Sequence, residues 1–244
     1  MVVFDAEKFV QKIKNLLTYN GQSIALHEPQ FTGNVWKYVK ECLDTGWVSS
    51  VGKFVDQFEH ELARFTGAKY AIATSNGTCA LHICCLLAGI KPGCEVLVPT
   101  LTFVATINAL SYCGAIPHFI DSEEQHLGLD PLVLDDYLSH ICIIDHGDTI
   151  NKLTGRPIQA LCVMHTLGHP VDLDPIEEIC NKYHLILLED AAEALGSYYK
   201  GVHLGHRGLA GRPAQCHPVG RVGQAIRGGS HGQSSTPGRP QIRQ

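Results

Sequence analysis

Residues 185–199 read LILLEDAAEALGSYY. Four consecutive apolar residues, Leu185 to Leu188, run directly into two carboxylates, Glu189 and Asp190, and then into small residues and Gly196. A short apolar run of this kind fits a strand buried on both faces, as in a parallel sheet. Its carboxylates then stand at the carboxyl end, the rim where open α/β sheets gather ligands. An acid placed there needs a cation or a set of hydrogen bonds, because burying it alone is costly.

Outward from this strand, the chain alternates apolar runs with helix-like patterns, the signature of parallel βαβ units. The sequence predicts strands at Ala68 to Ser75, Glu95 to Pro99, Ala115 to Ile120, Ile158 to Met164 and Leu185 to Asp190. Between them it predicts helices at Gly77 to Ala88, Phe103 to Cys113, Leu132 to Ser139 and Pro175 to Tyr183, the last capped by Asp174 ahead of Pro175. Upstream, residues 34–46 and 54–67 carry apolar residues at helical spacing, and each segment ends at a glycine. Residues 139–157 contain a Thr-Gly turn and polar flanks, and predict an irregular loop or hairpin.

Composition sets the class. The 244 residues are 45% hydrophobic with a formal net charge of −5, and mean hydropathy is near zero at +0.02. These values indicate a soluble globular protein of one large domain or slightly more, with nucleic acid disfavoured as the main partner. No apolar run approaches the roughly 20 residues of a membrane span, and the N-terminus is amphipathic and charged without a cleavage signal. A cytoplasmic location is expected. The ten cysteines are scattered without a C-x-x-C pair and read as buried reduced thiols. His165 and His169 are four apart, but Gly168 and Pro170 place them in a loop rather than on a metal-binding helix face. From His206 onward there is no Asp, Glu, Lys or aromatic residue, while Arg, Gly, Pro, Gln and Ser dominate. That break separates residues 1–205 from an atypical tail, 206–244, whose composition predicts disorder.

Three features fall at the expected rim. The first strand ends in SNGTCAL, where Asn76 and Gly77 turn the chain and Thr78 opens a helix; free amides plus a hydroxyl make an anion site. Taken alone, the same residues are also an ordinary turn and cap. Phe103 follows the second strand and could lie flat on a planar ring, although an isolated Phe more often serves core packing. Asp190 ends the last strand, with Glu193 three residues on. A phosphate loop, a ring-stacking aromatic and an acid that pairs with a pyridinium nitrogen together hold pyridoxal 5'-phosphate (PLP).

From about Ile24 to Gly205 the chain resembles the DegT/DnrJ/StrS sugar aminotransferases of PLP fold type I. The motifs are HEPQFTGN, DTGWVSSVGKFVDQFE, SNGTCALH, VPTLTFVATINALSYCGAIPHFID, MHTLGHPVDLDPI and LEDAAEALGSYYKG. TINKLTGRPIQA with MHTLGHPVDLD is similar to the branch acting on UDP- or other nucleotide-linked 4-keto-6-deoxy sugars toward legionaminic-type acids. The resemblance implies an α/β fold: the PLP fold type I large domain, a mostly parallel sheet flanked by helices, here incomplete and without the family's small C-terminal domain. It also implies that Gly77 and Thr78 bind the cofactor phosphate, Phe103 stacks on the ring, Asp190 pairs with the ring nitrogen and Glu193 lies on the ring-hydroxyl side. Trp47 and Ser49 would border the substrate, often across a homodimer interface. The implied reaction passes an amino group from glutamate to a nucleotide-linked keto sugar.

Family members continue past K-G-x-H-x-G into a Ser-Phe-x-x-x-Lys pattern whose lysine carries the cofactor and moves a proton. KGVHLG, Lys200 to Gly205, is intact here, after which the similarity stops. In ungapped register the lysine position falls on Val219, and no lysine follows Lys200. This chain is therefore expected not to transaminate by itself, and no catalytic residue is assigned. The alternatives are a non-catalytic relative that binds cofactor, and a PLP-dependent sugar dehydratase, which uses histidine in place of the lysine; His217 lies two positions away, but its neighbours do not match that group.

Overall fold

The computed structural model describes residues 4–17, 19–22 and 31–207, and the backbone of 216–218 and 224–226. The chain divides into two units, Met1–Val48 and Ser49–Gln244. The first holds α1 (Ala6–Leu16) and α2 (Val35–Thr45). Asp5 caps α1 by accepting from the Lys8 amide at 3.0 Å, and Gly46 ends α2 in the left-handed conformation. Of the HEPQFTGN motif, residues 27–30 lie outside the described residues.

The second unit opens with α3 (Lys53–Thr66), β1 (Tyr70–Ile72), α4 (Gly77–Leu87), β2 (Glu95–Pro99), α5 (Val104–Tyr112) and β3 (Ile116–Ile120). It continues with α6 (Pro131–Ile141), β4 (Cys142–Asp145), β5 (Asp148–Asn151), β6 (Pro157–Met164), a single 3-10 turn at Thr166–Gly168, α7 (Leu173–Lys182) and β7 (Ile186–Asp190). Strands β3, β2, β6 and β7 lie side by side, all parallel, as the alternating pattern requires. The segment expected as a loop or hairpin is a hairpin: β4 and β5 pair antiparallel, and β5 continues onto the start of β6. His146 and Gly147, both at positive φ (49° and 91°), make its two-residue turn, whose twist matches that of the strands it joins.

Strands β2, β6 and β7 are covered on both faces, which is why their central residues are apolar. Side chains alternate. Leu97, Leu161, Val163 and Leu187 enter one core with α6 and α7, including Leu134, Leu138, Leu173 and Ile176. Val96, Val98, Ala160, Cys162 and Leu188 enter the other, with Cys85 of α4 and Leu110 of α5.

Three sequence expectations need correction: the first strand, the cap of α7 and the cysteines. The first strand covers only Tyr70–Ile72 of the expected 68–75. Helix α7 begins at Leu173 with Asp172 as its N-cap residue, so Asp174 lies in the first turn instead of capping it. Pro175 is tolerated there because amides in the first turn have no partner within the helix. Asp174 is engaged elsewhere, pairing with Lys200 and, at 3.3 Å, with Arg207. In the segment after Gly205, two short strands, β10 (Cys216–Pro218) and β11 (Gln224–Ile226), pair with each other, and β11 pairs with β1. They follow a β8–β9 hairpin (Tyr198–Tyr199 and Val202–His203). Val219, the His217 side chain and the remainder of 208–244 lie outside the described residues. The expectation that the cysteines are reduced thiols holds for eight of the described ones but not for Cys84, which is disulfide-bonded.

Candidate cofactor site

Strands β2, β6 and β7 end together at Pro99, Met164 and Asp190, with Met164 and Asp190 directly paired in register. The two-residue period sorts the acids at the end of β7. Asp190 follows Leu188 onto the α5 side, and Glu189 follows Leu187 onto the α7 side. Their environments differ accordingly.

Glu189 is closed off by protein. It accepts from the Gly205 amide (2.8 Å), the Arg207 amide (3.0 Å) and His165 Nε2 (3.1 Å). His165 Nδ1 accepts from the Val171 amide at 3.3 Å, which fixes the proton on Nε2. The intact KGVHLG segment thus ends by satisfying Glu189, a structural use of the first acid.

Asp190 is 4% exposed. Its Oδ2 accepts from Thr106 Oγ1 at 2.6 Å, and its Oδ1 accepts from the Ala192 amide at 3.2 Å. Among the described residues no Lys, Arg or His nitrogen forms an ion pair with it. Burial pushes its carboxyl above the ordinary value of 3.8, and the bonds from Thr106 and Ala192 offset only part of that rise. An acid is thus buried without a cationic partner among the described residues, an arrangement that fits a ligand bringing a positive charge.

Phe103 stands at the start of α5 and is 64% exposed, so it is not a core residue. Its amide and the Thr102 hydroxyl both donate to Met164 Sδ, at 3.2 and 3.3 Å. Its carbonyl accepts from the Thr106 amide at 3.0 Å. Phe103 and Asp190 are thereby joined through one residue, Thr106.

Glu193 accepts from the Leu167 amide at 3.0 Å. That bond holds the turn in which Leu167 (φ 54°) and Gly168 (φ 81°) adopt left-handed backbone. A Cβ on Gly168 would lie 2.8 Å from the Glu193 carbonyl oxygen, so only glycine fits.

Gly77 and Thr78 open α4. The Asn76 side chain accepts from the Cys79 amide (2.8 Å), and its carbonyl accepts from the Ala80 amide (3.1 Å). The two preceding amides have no acceptor among the described residues, the usual state of a helix start. No hydrogen bond joins them to Asp190, Phe103 or Glu193. Trp47, in the first unit, is 60% exposed, and Ser49, in the second, is exposed.

The structure thus brings Phe103, Asp190 and Glu193 to one rim. Sequence reasoning missed Thr106 and Met164, yet both were accessible to it. Thr106 lies three residues after Phe103, within one turn of the same helix. Met164 shares the even-numbered face of β6 with Cys162. Among the described residues no group of three or more His, Cys, Asp or Glu could hold a metal ion, and no helix is long and apolar enough to cross a membrane.

Comparison with known proteins yields consistent matches. GDP-perosamine synthase of Caulobacter vibrioides is 40% identical over 185 residues, 76% of this chain and 46% of that protein. Its namesake in Escherichia coli O157:H7 is 39% identical over 182 residues, 75% of this chain and 46% of that protein. The solved aminotransferase of Psychrobacter cryohalolentis matches with a TM-score of 0.66 at 27% identity, over 82% of this chain and 48% of its own. NtdA of Bacillus subtilis, solved with bound cofactor PMP, matches with a TM-score of 0.63 at 27% identity, over 81% and 42% respectively. The chain spans about half the length of the curated relatives it matches. With residues 29–214 matching its family pattern, the chain belongs to the DegT/DnrJ/EryC1/StrS aminotransferase family.

Proposed function

We propose that this chain carries the pyridoxal-phosphate site of a sugar aminotransferase, whose reaction passes an amino group from glutamate to a nucleotide-linked 4-keto-6-deoxy sugar. The observation that carries this reading is Asp190, a buried carboxylate at the sheet rim that is held by a hydroxyl and an amide but by no cation among the described residues. Membership of the family and the PMP-bound relative support it.

When bound, PLP supplies an electron sink whose strength depends on a protonated ring nitrogen. The work of the chain is to bind, orient and hold that proton. Asp190 supplies the negative charge that keeps the nitrogen protonated, in a site where little water competes. Phe103 offers a ring face, and Gly77 and Thr78 offer amides and a hydroxyl to the phosphate. Glu193, fixed by Leu167, faces the ring-hydroxyl side. Trp47 and Ser49 are the proposed substrate contacts, with a homodimer as the proposed assembly.

The names of the relatives favour a GDP-linked sugar, whereas the TINKLTGRP segment favours the legionaminic-type branch; comparing GDP- and UDP-sugar binding separates the two. Because the lysine position falls on Val219, this chain is proposed to bind PLP without attaching it covalently, and so not to turn over alone.

Titrating the purified chain with PLP is expected to give a saturable absorbance change, and Asp190→Asn is expected to bind about tenfold more weakly or worse. Equal binding by that variant would overturn the proposal. Borohydride treatment should leave all the cofactor removable by denaturation; cofactor that stays attached would show that another lysine serves.

A further inference from the structure

We infer that Thr106 is the positioning residue of the site, tying the ring-facing Phe103 to the acid at Asp190 and holding that acid ionised and correctly turned. The inference rests on the cofactor reading above. Thr106 lies in the first turn of α5 and is 1% exposed. Its amide donates to the Phe103 carbonyl at 3.0 Å, while its hydroxyl donates to Asp190 Oδ2 at 2.6 Å. The hydroxyl bond crosses 84 residues of sequence, so it fastens α5 to the end of β7 rather than closing a local turn.

The second oxygen of Asp190 is held by the Ala192 amide at 3.2 Å. With one donor on each oxygen, the carboxylate plane cannot rotate without breaking a bond, and each oxygen keeps a further acceptor site. A hydroxyl donor also favours the charged over the protonated acid. The other ionisable groups that act on Asp190 are His165, Glu193 and Cys162. Glu193 opposes ionisation of Asp190, while His165 is bonded through Nε2 to Glu189. Against the effect of burial, the Thr106 hydroxyl does most to favour the charged acid, followed by the Ala192 amide.

The test is a titration of the Asp190 side-chain carboxyl by carbon NMR on the full chain without cofactor, in wild type and in Thr106→Val, Thr106→Ala and Thr106→Ser. Valine and alanine should each move the titration to higher pH, and serine should restore it. In parallel, PLP should dissociate about tenfold more readily from the valine and alanine variants, and near wild type from the serine variant. An Asp190 titration that superimposes on wild type in Thr106→Val or Thr106→Ala, or a serine variant that behaves like valine, would overturn the inference. Should valine fail to fold, alanine, which only removes atoms, decides the same question. If no variant and no wild type binds PLP, the cofactor reading fails, while the carboxyl titration still judges the role of Thr106.

Discussion

Glu95 opens β2 and Asp190 closes β7, so two buried carboxylates lie at opposite ends of one parallel sheet. At the amino end, Glu95 accepts from Thr154 Oγ1 (2.6 Å), Asn151 Nδ2 (2.8 Å) and His118 Nδ1 (2.8 Å), with the Arg156 guanidinium 3.9 Å away. Burial alone would raise its carboxyl, but the bonds from Thr154, Asn151 and His118 together bring it below its ordinary 4.5. At the carboxyl end, Asp190 has two neutral donors and stays above its ordinary 3.8 because burial wins. The β4–β5 hairpin and the loop after it supply most of what Glu95 needs. Among the described residues, no side-chain cation or comparable set of donors does the same for Asp190. One acid is satisfied within the fold, and the other is the one proposed to meet the cofactor.

That contrast breaks most sharply at Glu95. Glu95→Ala leaves the buried Asn151 amide without its acceptor and removes the anchor of the exposed Thr154 and the half-buried His118, and should cost about 2 kcal/mol or more in urea unfolding. A loss under about 1 kcal/mol would show that water replaces the carboxylate and that the network is incidental.

Asp190→Asn is the matched change of opposite sign. It removes a buried charge that burial disfavours while keeping an oxygen for the Thr106 hydroxyl. Stability should therefore hold or rise by about 1 kcal/mol, although cofactor binding suffers; sites built for ligands often sacrifice stability in this way. The pH dependence follows from the two directions. Glu95, lowered in the fold, contributes stability that is full above 4.5 and is lost as pH falls through its folded value. Asp190, raised in the fold, contributes stability that is present below 3.8 and is lost as pH rises through its folded value. The advantage of Asp190→Asn should thus appear near neutrality and vanish in acid, whereas the deficit of Glu95→Ala should shrink in acid. An Asp190→Asn variant less stable than wild type near neutrality would mean that the carboxylate serves the fold after all.

The same contrast explains what the sequence could reveal. The parallel strands, the rim and the acid at its end were legible because LILLED combines a two-sided apolar run with an abrupt charge, a local pattern. The hairpin was legible only as an alternative, because a His-Gly turn is a weaker signal than Asn-Gly. Asp174 looked like a cap because it precedes Pro175, and only the fold showed it drawn off by Lys200 and Arg207. The partners of Asp190 and Glu95 come from segments up to 84 residues away. Such pairings depend on strand order, which one sequence does not specify. Thr106 could have been placed near Phe103 by helical period, but its bond to Asp190 required knowing that α5 and β7 meet.

The smallest expected effect on the fold belongs to Phe103, and it sharpens the comparison from the ligand side. The residue is 64% exposed, so Phe103→Ala should change unfolding free energy by less than about 0.5 kcal/mol. The backbone bonds of residue 103 to Met164 and Thr106 do not involve the ring and should survive. Stacking of aromatic rings contributes about 0.5–1.5 kcal/mol, so PLP affinity should fall several-fold with stability unchanged. A loss of stability above about 1 kcal/mol would place the ring in the core. Unchanged affinity would turn it away from the cofactor and leave Asp190 and Glu193 as the proposed contacts on that rim. A variant that lowers affinity alone would separate the two roles at the level of a single side chain, as Glu95 and Asp190 separate them at the level of the sheet.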